Sequence, residues 1–144
     1  MATRAEFVRV VQSYVGTPYR KRGRSPGRGL DCPGVGICGL GELGVSVEDE
    51  AHYPDLPDGR LTLILSERLI AIGLGELRPG DVAEAFYPRA ERPSHIVFIG
   101  ERRGVMTAIH ASAQAREVVE HRLHGRRLPG GGEIVRAFQI PGLD

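Results

Sequence analysis

The chain has 144 residues, 41% apolar and 26% charged, with a formal charge of +1. That composition fits one soluble globular domain over residues 1–144 with a sizeable core, and the near-zero charge excludes a dedicated nucleic-acid binder. No apolar run approaches the roughly 20 residues of a membrane span, and two cysteines do not make a disulfide framework.

The N-terminus, Met1-Ala2-Thr3-Arg4, lacks the apolar region of a signal peptide, so synthesis in the cytoplasm is expected. Thr3 and Glu6 read as a capping box. Phe7, Val10, Val11, Tyr14 and Val15 follow on one helical face, and Gly16 is placed to end that helix. Residues 16–30 read as a loop. Pro33 suits the first turn of a second helix over 33–43. Its glycines, Gly34, Gly36, Gly39 and Gly41, cost about 1 kcal/mol each in helix propensity, so it needs close packing against a sheet. Helical spacing would put Cys32 and Cys38 about 9 Å apart along the axis, too far for a disulfide.

Residues 52–60 read as a loop and Leu61 to Ile72 as a third helix. A turn at 78–81 precedes strands at Val82 to Tyr87, Ile96 to Ile99, Val105 to Ala111, Glu117 to His121 and Ile134 to Ile140, with a glycine-rich loop at 130–132. Helices first and strands after indicate an α+β domain with helices on an antiparallel sheet of five to six strands.

Cys32 opens the second helix. The positive pole of a helix N-terminus favours thiolate over thiol, so Cys32 is expected to be a nucleophile of lowered pKa. A cysteine hydrolase also needs a base and a group that orients it. His95 and His110 can supply these. A hairpin centred between Arg102 and Arg103 would make them direct cross-strand neighbours on one face; a one-residue slip would separate them. The alternative is two unrelated histidines, one packed and one exposed. Cys38 reads as a core thiol. His121 and His124 form H-x-x-H, a weak metal signal without further ligands, so no metal or cofactor is expected. His52 carries no signal.

Five motifs occur in order: Gly16-Thr17-Pro18-Tyr19, Leu30-Asp31-Cys32-Pro33-Gly34, Pro79-Gly80-Asp81-Val82, Ser94-His95-Ile96-Val97 and Ile109-His110-Ala111. Together they resemble the NlpC-type papain-like cell-wall peptidases. Gly23-Arg24-Ser25-Pro26, Tyr53-Pro54 and Phe138-Gln139-Ile140-Pro141-Gly142 are similar to the phage-tail branch. The resemblance spans nearly the whole chain. It implies a circularly permuted papain-like fold, with Cys32 as nucleophile, His95 as base and His110 as the orienting residue. It further implies that Tyr19 lies by the cysteine and helps bind substrate or the oxyanion. Many relatives carry Ser where this chain has Pro33, which lacks an N–H. Asp31 is a candidate helix cap and substrate-site residue.

The implied activity is a cysteine endopeptidase (a thiol protease) cleaving peptidoglycan stem peptides at the bond between γ-D-glutamate and the next diamino acid. The implied setting is a virion tail tip or baseplate that opens the wall for DNA delivery, with tail proteins as partners. The rivals are a structural tail-tip component with a vestigial site, an amidase or acyltransferase, and a zinc enzyme. Arg20, Lys21, Arg22, Arg24 and Arg28 form a basic cluster that reads equally as an attractor of stem-peptide carboxylates, a solvated loop or a docking surface.

Overall fold

The computed structural model describes residues 1–45, 47, 65–89 and 94–144. The expected loop over 52–60, His52, Tyr53-Pro54 and the start of the third helix lie outside the described residues.

Helix α1 spans Arg4–Ser13. The Thr3 hydroxyl oxygen accepts the Glu6 N–H at 3.1 Å and its proton is directed to the Glu6 carboxylate, a variant of the expected box. Phe7, Val11 and Tyr14 are buried as expected, with Val8 beside them. Val15 is 43% exposed, because the helix ends at Ser13 with Tyr14 as its C-cap and the helical spacing no longer applies beyond it.

Residues 16–19 then run along a sheet edge. Val118 N–H donates to the Thr17 carbonyl at 2.8 Å and Tyr19 N–H to the Arg116 carbonyl at 2.9 Å, so an otherwise open strand edge is occupied. The expected 16–30 loop contains a small hairpin, β1 (Arg24–Ser25) and β2 (Gly29–Leu30). Helix α2 follows at Cys32–Glu42. Its glycines do what their cost requires: a Cβ on Gly36 would lie 2.5 Å from the Phe98 ring. The missing side chain brings α2 down onto the sheet.

The third helix is corrected. Residues 65–68 are helical, but Ile70–Ile72 forms strand β3. A short run of β-branched residues fits either state, and here a neighbouring strand edge supplies the backbone partners. A 3₁₀ turn at Leu74–Glu76 leads to β4 (Val82–Phe86), β5 (Ser94–Arg102), β6 (Val105–Ser112), β7 (Glu117–Arg122), β8 (Arg127–Leu128) and β9 (Gly132–Gln139).

Among the described residues the main sheet has seven strands in the order β3-β9-β4-β5-β6-β7, with β8 on β9; every pairing is antiparallel. It exceeds the expected count because β3 and β8 add to it. Alternation divides its two faces. Ile96, Phe98, Ile109, Ala111, Val118 and Phe138 pack with Phe7, Val11, Val35 and Leu40 of the helices. Ala83, Ala85, Val97, Ile99, Ala108 and Ile134 form a second apolar cluster on the other face. The architecture is α+β, helices on a large antiparallel sheet, as the sequence led us to expect.

Candidate active site

The β5–β6 hairpin turns on Arg103-Gly104. Both have positive φ, 53° and 78°, the geometry of a two-residue type I′ turn. The hairpin is therefore centred one residue later than expected, and Arg102 pairs with Val105 and Phe98 with Ile109. His95 and His110 are not direct partners. Continuing the register puts His110 across from Val97. A shift of the partner by two residues preserves the face, so the histidines lie on one side of the sheet, near enough for His95 to act on His110.

The paired ladder ends at Phe98 and Ile109 although both strands continue. Cys32 sits at this mouth. It is a half-buried residue at the head of α2, and its thiol donates to the Ala111 carbonyl at 3.1 Å, one residue beyond His110. The expected lowering of its pKa is corrected. Burial, and then the charge of Asp31, push the thiol up to about 12, against smaller opposing effects of the Ala111 and Ile96 backbone. Asp31, the N-cap of the same helix, thus sets a negative charge beside the thiol at the end where the helix pole was expected to lower its pKa.

Asp31 is buried and is the N-cap of α2. Its Oδ1 accepts the Gly34 N–H at 2.9 Å and pairs with Arg24 Nη1 at 2.8 Å; its Oδ2 accepts the Arg22 N–H at 2.8 Å. These bonds tie the basic loop to the helix that carries Cys32. Arg24 is thereby drawn inward, while Arg20, Lys21, Arg22 and Arg28 remain on the surface. Cys38 directs its thiol to the Arg24 carbonyl at 3.4 Å; neither cysteine is in a disulfide. Tyr19 is half-buried, bridges to Leu30 and packs on the same apolar cluster as Cys32.

His110 is 5% exposed, and among the described residues neither ring nitrogen has a hydrogen-bond partner. Burial first, then the neighbouring His121 and His95, lower its pKa to about 4, so it is neutral near pH 7. The His110 and His121 rings lie 5.5 Å apart. The Tyr87 ring meets His95 edge-on, with centroids 5.0 Å apart and planes at 81°. Burial and the charge of Cys32 raise the Tyr87 phenol, which places the phenol in the electrostatic neighbourhood of the thiol.

Sequence reasoning missed Tyr87 and took His121 only as half of H-x-x-H, not as a neighbour of His110. The signal for His121 was its strand: a turn over 113–116 sets Ala108 opposite His121, diagonal to His110. No such signal exists for Tyr87, because its approach to His95 depends on how β4 pairs with β5. His124 is exposed and bridges to Arg127, and among the described residues no three His, Cys, Asp or Glu side chains are arranged to hold a metal ion. No helix of the described residues is long and apolar enough to cross a membrane.

No protein-family model matches the sequence, and no curated protein matches it. Solved structures do. The NlpC/p60 domain of the peptidoglycan hydrolase SagA aligns with a TM-score of 0.64 at 18% identity, covering 96% of this chain and 100% of that one. NlpC2 from Trichomonas vaginalis aligns at 0.65 and 17% identity, covering 96% of this chain and 47% of that one. A lipoprotein-like NLP/P60 family protein from Staphylococcus aureus aligns at 0.61 and 19% identity, covering 97% of this chain and 43% of that one. The chain thus has the fold of NlpC/p60 domains and spans less than half of two of these proteins.

Proposed function

We propose that the chain is a cysteine endopeptidase that hydrolyses peptidoglycan stem peptides, with Cys32 as nucleophile, His95 as general base and His110 as the residue that holds the base. The observation that carries this reading is the placement of the thiol. α2 delivers Cys32 to the point where β5 and β6 part, against the carbonyl that follows His110. The fold shared with the NlpC/p60 domain of a peptidoglycan hydrolase supports it.

The raised thiol bears on the order of events. Cys32 rests as a neutral thiol, so the proton leaves as the bond forms. His95 takes it while the sulfur attacks the stem-peptide carbonyl. His95 then returns it to the departing amine, and the acyl-enzyme remains. Water, deprotonated by His95, clears the acyl group and regenerates the thiol. Pro33 has no N–H, and the Gly34 N–H is held by Asp31. The oxyanion donors therefore come from elsewhere, and Tyr19 is our candidate. We assign Asp31 to positioning the loop and helix, since its oxygens are engaged internally.

The finer reading is cleavage between γ-D-glutamate and the following diamino acid by an enzyme of a phage tail tip or baseplate, where tethering raises its effective concentration at the wall. The buried, raised thiol is the one observation that favours the rival, a structural tail component with a vestigial site. Digestion of purified peptidoglycan with mass analysis of the fragments, comparing the native chain with Cys32→Ala, tests the chemistry. Fragments ending at the γ-D-glutamyl carboxyl, absent with Cys32→Ala, are expected; identical digests with the two proteins would overturn the reading. A tail-borne enzyme should cleave soluble muropeptides yet lyse intact cells poorly from outside.

A further inference from the structure

The three glycines that lead into β9 do not have the same job. Gly130 and Gly131 have φ of +83° and +86°, a conformation that side chains rarely adopt, and they make the turn. Gly132 does not share that conformation. It is constrained by space: a Cβ there would lie 2.4 Å from both Cε1 and Cζ of Tyr87. Phe86 pairs with Glu133, so Tyr87 stands across from Gly132 at the strand end. Its ring occupies the space a side chain at Gly132 would take, so the ring covers what a side chain would otherwise cover.

The same ring meets His95. Ala85 pairs with His95, and Tyr87, two residues on, is the diagonal neighbour on the same face. The centroids are 5.0 Å apart with planes at 81°, the edge-to-face geometry aromatic pairs prefer. Gly132, Tyr87 and His95 thus stack across three strands, β9, the end of β4 and β5. The imidazole has the Tyr87 ring against it and acts electrostatically on His110.

We propose that Tyr87 is a positioning residue for His95, and that Gly132 is the seat that fixes the Tyr87 ring. This rests on the reading of His95 as the base. A base that must take a proton from a thiol and return it to an amine works only in a narrow orientation, and a displacement of about 1 Å can cost on the order of 100-fold in rate. The Tyr87 ring, edge-on to the imidazole with centroids 5.0 Å apart, limits how far that imidazole can turn. A Cβ at position 132 has to move that ring.

The test is a double-mutant cycle with a readout at the imidazole itself. The full chain is labelled with ¹³C and ¹⁵N histidine, and the His95 signals are assigned by their loss in His95→Gln. Gly132→Ala and Tyr87→Ala should each displace the His95 signals and lower kcat about 10- to 100-fold with KM within about twofold. The double variant should be no worse than either single. Tyr87→Phe, which keeps the ring, should hold the His95 signals in place. Gly131→Ala is strained by its φ, yet its Cβ meets nothing within 4 Å, so it should lose stability without moving His95. If Gly132→Ala fails to fold, Tyr87→Ala, which adds no atoms, decides. His95 signals unmoved by removal of the ring, or losses that multiply in the double variant, would overturn the proposal. The signals decide the matter even without turnover: signals that move in the variants, together with a wild-type chain that leaves peptidoglycan uncut, uphold the seat and overturn the reading of function.

Discussion

Asp31→Asn separates the structural work of this carboxylate from contact with substrate. Asparagine caps a helix about as well as aspartate, so the bond from the Gly34 N–H survives. Two contacts do not. The new amide NH₂ faces the Arg22 N–H, which Oδ2 now accepts at 2.8 Å, leaving two donors opposed. The charge pairing with Arg24 at 2.8 Å also goes. A hydrogen bond to a charged group contributes about 1.5–3 kcal/mol. Stranding a fully buried charge costs about 3–5 kcal/mol, but Arg24 is 19% exposed and can turn partly to water. We expect a net loss of about 2–4 kcal/mol, or roughly 6–12 °C in Tm for a chain of this size. The same change removes the charge that, after burial, raises the Cys32 thiol. The thiol pKa should fall while staying above its ordinary value, since burial persists. Thermal and urea unfolding followed by circular dichroism read the first effect; the pH dependence of iodoacetamide labelling at Cys32 reads the second. Stability within about 0.5 kcal/mol of wild type, below the ordinary value of one hydrogen bond, or a labelling profile that stays put or moves to higher pH, would refute the reasoning. A raised KM with unchanged stability would instead make Asp31 a substrate contact.

Gly36→Ala should lower Tm and kcat together: overpacking against Phe98 costs about 1–3 kcal/mol and outweighs the roughly 1 kcal/mol gained in helix propensity. Gly41→Ala, whose Cβ meets nothing within 4 Å, should raise Tm, and the opposite signs are read in one melting series. His110, held neutral by burial with its pKa lowered to about 4, makes stability depend on pH. The unfolded chain takes up this proton near pH 6.5 and the folded chain only near 4. The stabilisation is therefore complete above about 6.5 and is lost as pH falls toward 4, by about 3 kcal/mol in all; urea unfolding at pH 7.5 and 4.5 should show that slope shrinking in His110→Leu. His95→Ala should abolish nearly all hydrolysis of muropeptides, whereas His110→Asn should retain part of it, because an amide at 110 can donate or accept one hydrogen bond when the imidazole turns to it during the reaction; initial rates decide both.

Much of this molecule was legible from residue order because the relevant physics is local. The Thr3 cap, the glycines of α2 that demand a close neighbour, the strands from Val82 onward and the α+β class follow from backbone preferences and hydrophobic period. The face shared by His95 and His110 was legible for the same reason, since a shift of the hairpin by one residue at its centre moves each partner by two and returns every side chain to its own side. What required the tertiary structure is whatever depends on groups distant in sequence. Ile70-Ala71-Ile72 became a strand only because the edge of β9 was there to pair with it. Cys32 lost its expected low pKa because a thiol responds to the burial and charge around it, and the fold places it inside the mouth of β5 and β6 beside the negative charge of the Asp31 cap. Tyr87 reaches His95 through the register of β4 with β5 and rests on Gly132 through the register of β4 with β9. Those pairings are chosen by long-range burial, which no local preference encodes.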